Sequence, residues 1–152
     1  MSNEVDVKDL FKLHEKLSLL TPAEISVILN KSLMAGARKL KTATTQSLIA
    51  KMGATATRPI YSTTTKKTYQ PLTSGIRISN DPYENTVKVH IMGHGYLKWF
   101  ESGTAIRQTR SGANRGSIKA INFFFAARQT TMSSLDSIIE TSITKQIDSI
   151  LQ

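Results

Sequence analysis

The sequence predicts an α+β domain: a small antiparallel β-sheet packed against one long helix and a long C-terminal helix, with extended polar loops. Three observations carry that expectation. Thr21-Pro22-Ala23-Glu24 is a helix start, and apolar residues follow it at helical spacing as far as Gly53. Two short runs, Gly75 to Ser79 and Thr86 to Met92, alternate apolar and polar residues around a segment dense in turn formers. From Phe123 to Leu151 the apolar residues return to helical spacing.

In chain order, residues 1–20 read as an N-terminal helical extension and residues 21–152 as a single domain, a division that suits a chain of 152 residues. In the extension, Val7, Leu10, Phe11, Leu13, Leu17 and Leu20 form an apolar stripe from about Val5 onward, and Asn3 is placed to cap it. The long helix follows from Pro22 to about Met52. Thr21 and Glu24 satisfy each other's backbone amides, Pro22 sits where its missing donor costs nothing, and Gly53 stops the run. Its centre, Ala35-Gly36-Ala37, is small-sided, which suits close packing or a subunit contact. Residues 54–75 are Thr-rich and low in hydrophobicity, and predict a long mobile loop or extended arm.

The two alternating runs then make a half-buried hairpin across Asn80-Asp81-Pro82-Tyr83-Glu84-Asn85. Tyr96 to Phe100 continues as a strand or a short helix. The segment from Ala105 to Ser117 predicts an exposed basic loop, with Arg107, Arg110 and Arg115 among Gly112 and Gly116.

Composition narrows the function classes. The chain is 39% hydrophobic, against a usual share of about 45–50% that also counts Gly, so some surface is expected to be finished by partner subunits. The absence of cysteine excludes disulfides, thiolate metal sites and a cysteine nucleophile. Met1 to Leu20 mixes acids, lysines and apolar residues, without the apolar run of a signal peptide or membrane span. A soluble protein assembled in a cytoplasm is expected, with no membrane partner.

The net charge of +9 is segregated. Residues 25–80 carry nine basic groups and no acid, and residues 102–128 carry five basic groups and no acid. Both ends are mildly acidic. Such segregation suits a polyanion on one face, or complementary contacts between subunits.

Catalytic and metal chemistry finds little support. Of His14, His90 and His94, the last two are four apart across a Gly turn, with no carboxylate or thiol to complete a ligand set. No nucleophile elbow or phosphate-binding loop is present, and Asp81, Glu84 and Glu101 are scattered. The expectation is a non-enzyme without cofactor. Arginine and lysine on Gly- and Thr-rich segments suit sequence-independent phosphate contact; a recognition helix or zinc ligands for base readout are not evident.

One segment is more specific. Tyr96-Leu97-Lys98-Trp99-Phe100-Glu101-Ser102-Gly103-Thr104 runs from an aromatic-rich stretch into an acid and then Gly-Thr. A basic loop follows, and Phe124-Phe125-Ala126-Ala127 opens the last helix. In this order the chain resembles the head–tail connection proteins of tailed bacteriophages, over roughly Pro22 to Leu151. It departs from that pattern in Lys119-Ala120-Ile121-Asn122, where the family carries a proline, and in the N-terminal extension.

The resemblance implies a structural virion protein of the neck: a connector, stopper, completion or terminator subunit. It would form a homo-oligomeric, six-fold ring at the head–tail junction, assembled in the host cytoplasm, beside portal-side or tail-tube proteins and around the DNA path. Trp99, Phe100, Glu101, Gly103, Thr104, Phe124 and Phe125 are then candidates for the subunit interface. Arg58, Lys66, Lys67, Arg107, Arg110, Arg115 and Lys119 are candidates for the DNA lumen or ring-to-ring contacts. The alternative from another class is a small non-specific nucleic-acid-binding protein.

Overall fold

Thr21 and Glu24 set the start of the first long helix, α1 (Pro22–Met52), through a reciprocal capping box. The Glu24 amide donates to Thr21 Oγ1 at 3.3 Å, and the Thr21 amide donates to Glu24 Oε2 at 2.8 Å. The Thr21 amide first and its hydroxyl second, both donating to Glu24 Oε2, hold the Glu24 carboxyl below its ordinary value of 4.5. A lowered folded-state value stabilises the helix start above the ordinary range, and the contribution is lost as pH falls through the lowered value. At the other end, the Gly53 amide donates to the Ile49 carbonyl and closes the helix. The 31 residues of α1 span about 46 Å.

The computed structural model describes residues 15–16 and 18–151. Most of the expected extension, including Asn3 and the apolar stripe from Val7 to Leu17, lies outside the described residues. Where the description begins, Leu20 is buried with Ile28 and Ile147, and Lys16 pairs with Asp148 at 2.6 Å.

After α1 a 3-10 turn (Gly53–Ala56) leads to a hairpin of β1 (Ile60–Ser62) and β2 (Lys67–Tyr69), with Ile60 opposite Tyr69. The segment 54–75, expected as a long mobile loop or extended arm, thus contains a hairpin, and a second 3-10 turn (Leu72–Gly75) tucks Leu72 and Gly75 into the core. A second antiparallel hairpin follows, β3 (Arg77–Asp81) with β4 (Thr86–His90), in the register Ile78 to Val89. Its first strand begins at Arg77 rather than Gly75, and its second ends at His90 rather than Met92. Beyond the last ladder pair, Arg77 with His90, the two chains still touch: the Gly93 amide donates to the Gly75 carbonyl at 3.0 Å. A Cβ on Gly93 would stand 2.7 Å from Gly75 Cα, so only glycine permits this approach. Two polar contacts dock the hairpin on α1: Ser26 Oγ donates to Asn85 Oδ1, and the Asn30 and Asn80 amides donate to each other.

Next comes α2 (Gly95–Ser102), and after a polar segment the long α3 (Phe123–Ile150). The long helices run antiparallel along most of their length. Ile28 clusters with Ile147, Gly36 faces Leu135 and Ile139, and Leu48 clusters with Phe123. The small Ala35-Gly36-Ala37 centre thus lets α3 approach α1. The main core gathers Leu48, Ala56, Leu72, Ile76, Leu97 and Phe123 where the α1 end, the 3-10 turns, α2 and the α3 start converge. The architecture is α+β: two long helices and two small antiparallel sheets.

Candidate assembly interface

The segment Tyr96 to Thr104 and the start of α3 form one unit, joined by hydrogen bonds. Residues 96–100 are helical, so Trp99 and Phe100 do not point to opposite sides as an extended chain would place them. Leu97 is buried and Phe100 packs beside it against the core. Tyr96 and Trp99, three residues apart, face outward and meet edge to face with centroids 5.3 Å apart. Trp99 keeps 40% of its surface exposed, which leaves an aromatic ledge available to a neighbour.

Glu101 reaches from the last turn of α2 to the first turn of α3. The Phe124 amide donates to its Oε2 at 2.8 Å and the Phe125 amide to its Oε1 at 3.0 Å. Asn122, the residue before the helix, is left-handed (φ 48°) and its own side chain makes no cap. A remote carboxylate therefore supplies the cap that the local sequence lacks, and its negative charge meets the positive end of the helix. Replacing Glu101 by Ala removes both acceptors and is expected to cost about 2 kcal/mol, with Glu101→Gln intermediate. Urea titration of the two variants measures this; an unchanged midpoint for Glu101→Ala would mean that the cap does not hold the helix start.

Gly103 and Thr104 close the base of the basic segment. Gly103 adopts φ 74° and ψ −179°, and its amide donates to the Trp99 carbonyl. Thr104 bonds Ile118 twice: its amide donates to the Ile118 carbonyl, and its Oγ1 accepts from the Ile118 amide, both at 2.9 Å. Beyond that clasp the segment is a hydrogen-bonded finger rather than an irregular loop. The Arg107 amide donates to the Gly116 carbonyl, the Arg115 amide to Arg107 and the Thr109 amide to Ala113. Arg110 lies in the tip, and Arg107, Arg110, Arg115 and Lys119 are all exposed.

Arg58, Lys66 and Lys67 sit beside or in the β1–β2 hairpin, also exposed, with Lys66 in its turn at φ 52°. Among the described residues, none of these seven cations has a carboxylate within 4 Å; the ion pair found there is Lys16 with Asp148. The charges are thus not neutralised within the described part of the chain.

The three phenylalanines at the α3 start divide their roles. Phe123, not among the expected site residues, is fully buried and anchors the helix. Phe124 packs partly against the core, while Phe125 is 55% exposed. Of the aromatic pair expected to open this helix, Phe124 thus packs against the core and Phe125 stays on the surface. Ala127 and Thr131 follow Phe123 at intervals of four and are buried with it, which puts Phe123 on the inner face of α3.

Two of the scattered acids serve local structure: Asp81 Oδ1 accepts from the Tyr83 and Glu84 amides in a turn, and Glu101 caps α3. His94 Nε2 lies 2.9 Å from Ser74 Oγ. Among the described residues no group of three His, Asp or Glu could share a metal ion, and no helix is long and apolar enough to cross a membrane. Set against family models, curated proteins and solved structures, the chain matches none.

Proposed function

We propose that the chain is a structural, non-enzymatic subunit of a tailed-phage neck, which joins or completes the tail as part of a ring around the DNA path. The observation that supports this reading is the coupling of the two motif halves. Glu101 grips the amides of Phe124 and Phe125, Gly103 and Thr104 clasp the loop base, and the arginine-bearing finger projects from that clasp. The residues that carry the family resemblance thus act together to fix a basic projection to the end of a long helix. Next to it the Tyr96–Trp99 ledge and Phe125 offer apolar contact area to adjoining subunits.

A ring lumen needs modest, sequence-independent attraction to DNA, and exposed arginines on a firm hairpin supply it. Replacing Arg107, Arg110 and Arg115 together by Ala should leave stability within about 0.5 kcal/mol, because all three are exposed. In a phage complemented with that variant, infectious titre should fall about tenfold or more. Full titre would exclude a role for the finger.

A second reading, a small nucleic-acid-binding module, draws on the same exposed cations. It predicts a small species with micromolar DNA affinity that drops steeply with salt. A neck subunit predicts ring-shaped particles, or docking on isolated heads or tails, with weak duplex affinity of its own.

A further inference from the structure

Over part of their length the two long helices carry opposite charges on opposite flanks of the helix pair; one step further along the α3 row, exposed Arg128 ends the acidic stretch. On α1, Lys31, Ala35 and Lys39 are spaced by four and share a flank; both lysines are exposed. On α3, Met132, Asp136 and Glu140 are likewise spaced by four and exposed. Lys31 comes one position before buried Ser32, whereas Asp136 and Glu140 come one position after Leu135 and Ile139, which face α1. In antiparallel helices, one position before on one helix and one position after on the other are opposite flanks.

The flanks also run level. Gly36 lies against Leu135 and Ile139, which sets Lys31 level with Glu140 and Lys39 level with Asp136, each within about half a turn. Among the described residues, none of these four charges has an ion-pair partner.

We propose that a second copy of this chain docks flank to flank, the Lys31–Ala35–Lys39 edge of one subunit against the Met132–Asp136–Glu140 edge of the next. Charge complementarity singles out self-docking: the two edges belong to one molecule, match in level and have opposite sign. Ala35 leaves room between the lysines, and Met132, 51% exposed, supplies apolar contact beside the acids. The contact uses two different patches, so it is heterologous and each added subunit presents a free edge to another. If neighbours are related by rotation about an axis along the helices, the levels stay matched and such a contact closes a ring; without that rotation it would run on as an open filament. The inference rests on the assembly reading above and adds the face through which assembly runs.

The chain has no cysteine, which makes the test direct. Two differently tagged proteins, Lys39→Cys and Asp136→Cys, are mixed and oxidised. The expected product is the mixed 39–136 disulfide, in at least about fivefold excess over the 39–39 and 136–136 products. Adding Lys31→Glu to the first protein, or Glu140→Lys to the second, should cut its yield about tenfold; adding both together should restore it. These positions are exposed, so each variant should keep the wild-type circular dichroism and melting midpoint. Oligomers that form without the 39–136 link overturn the proposed face and leave the assembly reading standing. A mixture that stays monomeric and unlinked overturns self-docking itself, and detection of the chain in phage particles then decides the neck role separately.

Discussion

Replacing Phe123 by Ala should lower stability by about 3–5 kcal/mol, the cost of emptying a fully buried aromatic site. Phe123 touches the cluster of Leu48, Ala56, Leu72, Ile76 and Leu97, drawn from four separate parts of the chain. No single neighbour can relax into the space, so the upper part of that range is expected. Phe125→Ala, two positions on, should stay within about 0.5 kcal/mol of wild type, because Phe125 is largely exposed. Yet in an assembly subunit it should weaken incorporation into particles. Denaturant titration separates the two phenylalanines. Equal losses of stability would mean that Phe125 belongs to the core after all.

Gly103→Ala should cost about 3 kcal/mol, from two sources that add. The pair φ 74°, ψ −179° lies in a region that is essentially open to glycine alone, a strain of about 1–3 kcal/mol for alanine. A Cβ there would also stand 3.0 Å from both the Ala120 nitrogen and the Ile118 carbonyl oxygen, which are backbone atoms and cannot swing aside. The damage should spread to the clasp, since Thr104 bonds the same Ile118. Amide exchange at Thr104 and Arg107 should accelerate more than in α1. A variant with unchanged exchange in the finger would show that the clasp does not depend on the glycine.

Local signals in the sequence were faithful where short-range physics decides. The Thr21–Glu24 box, the Gly53 stop, the turn-dense segment between β3 and β4 and the spacing of α3 all lie within a few residues of what they control. The β1–β2 hairpin was not legible. Its strands are three residues each, too short for a period, and Lys66 occupies the left-handed turn position where Gly or Asn would announce a turn. The α2 segment is eight residues long, too short for spacing alone to separate aromatic alternation from a helix; the fold decides it by packing Leu97 and Phe100 on one face.

Site residues show the same divide. Gly103 and Thr104 could be assigned a turn and its hydroxyl tie from their types alone, and φ 74° with the Ile118 bond match that expectation. The role of Glu101 as a cap could not, because its partners Phe124 and Phe125 come from another helix. Nor could the level match of Lys31 and Lys39 with Glu140 and Asp136, which depends on how the two helices pack.

A place for the chain in a phage neck meets its most direct test in particles made by the genome that encodes it. Removing the gene, then imaging and counting the products by cryo-electron microscopy, should yield DNA-filled heads and separate tails that fail to join. Wild-type particles should carry the chain as a ring at the head–tail junction. Tailed, infectious particles formed in its absence, or particles that do not contain it, would contradict the proposed role.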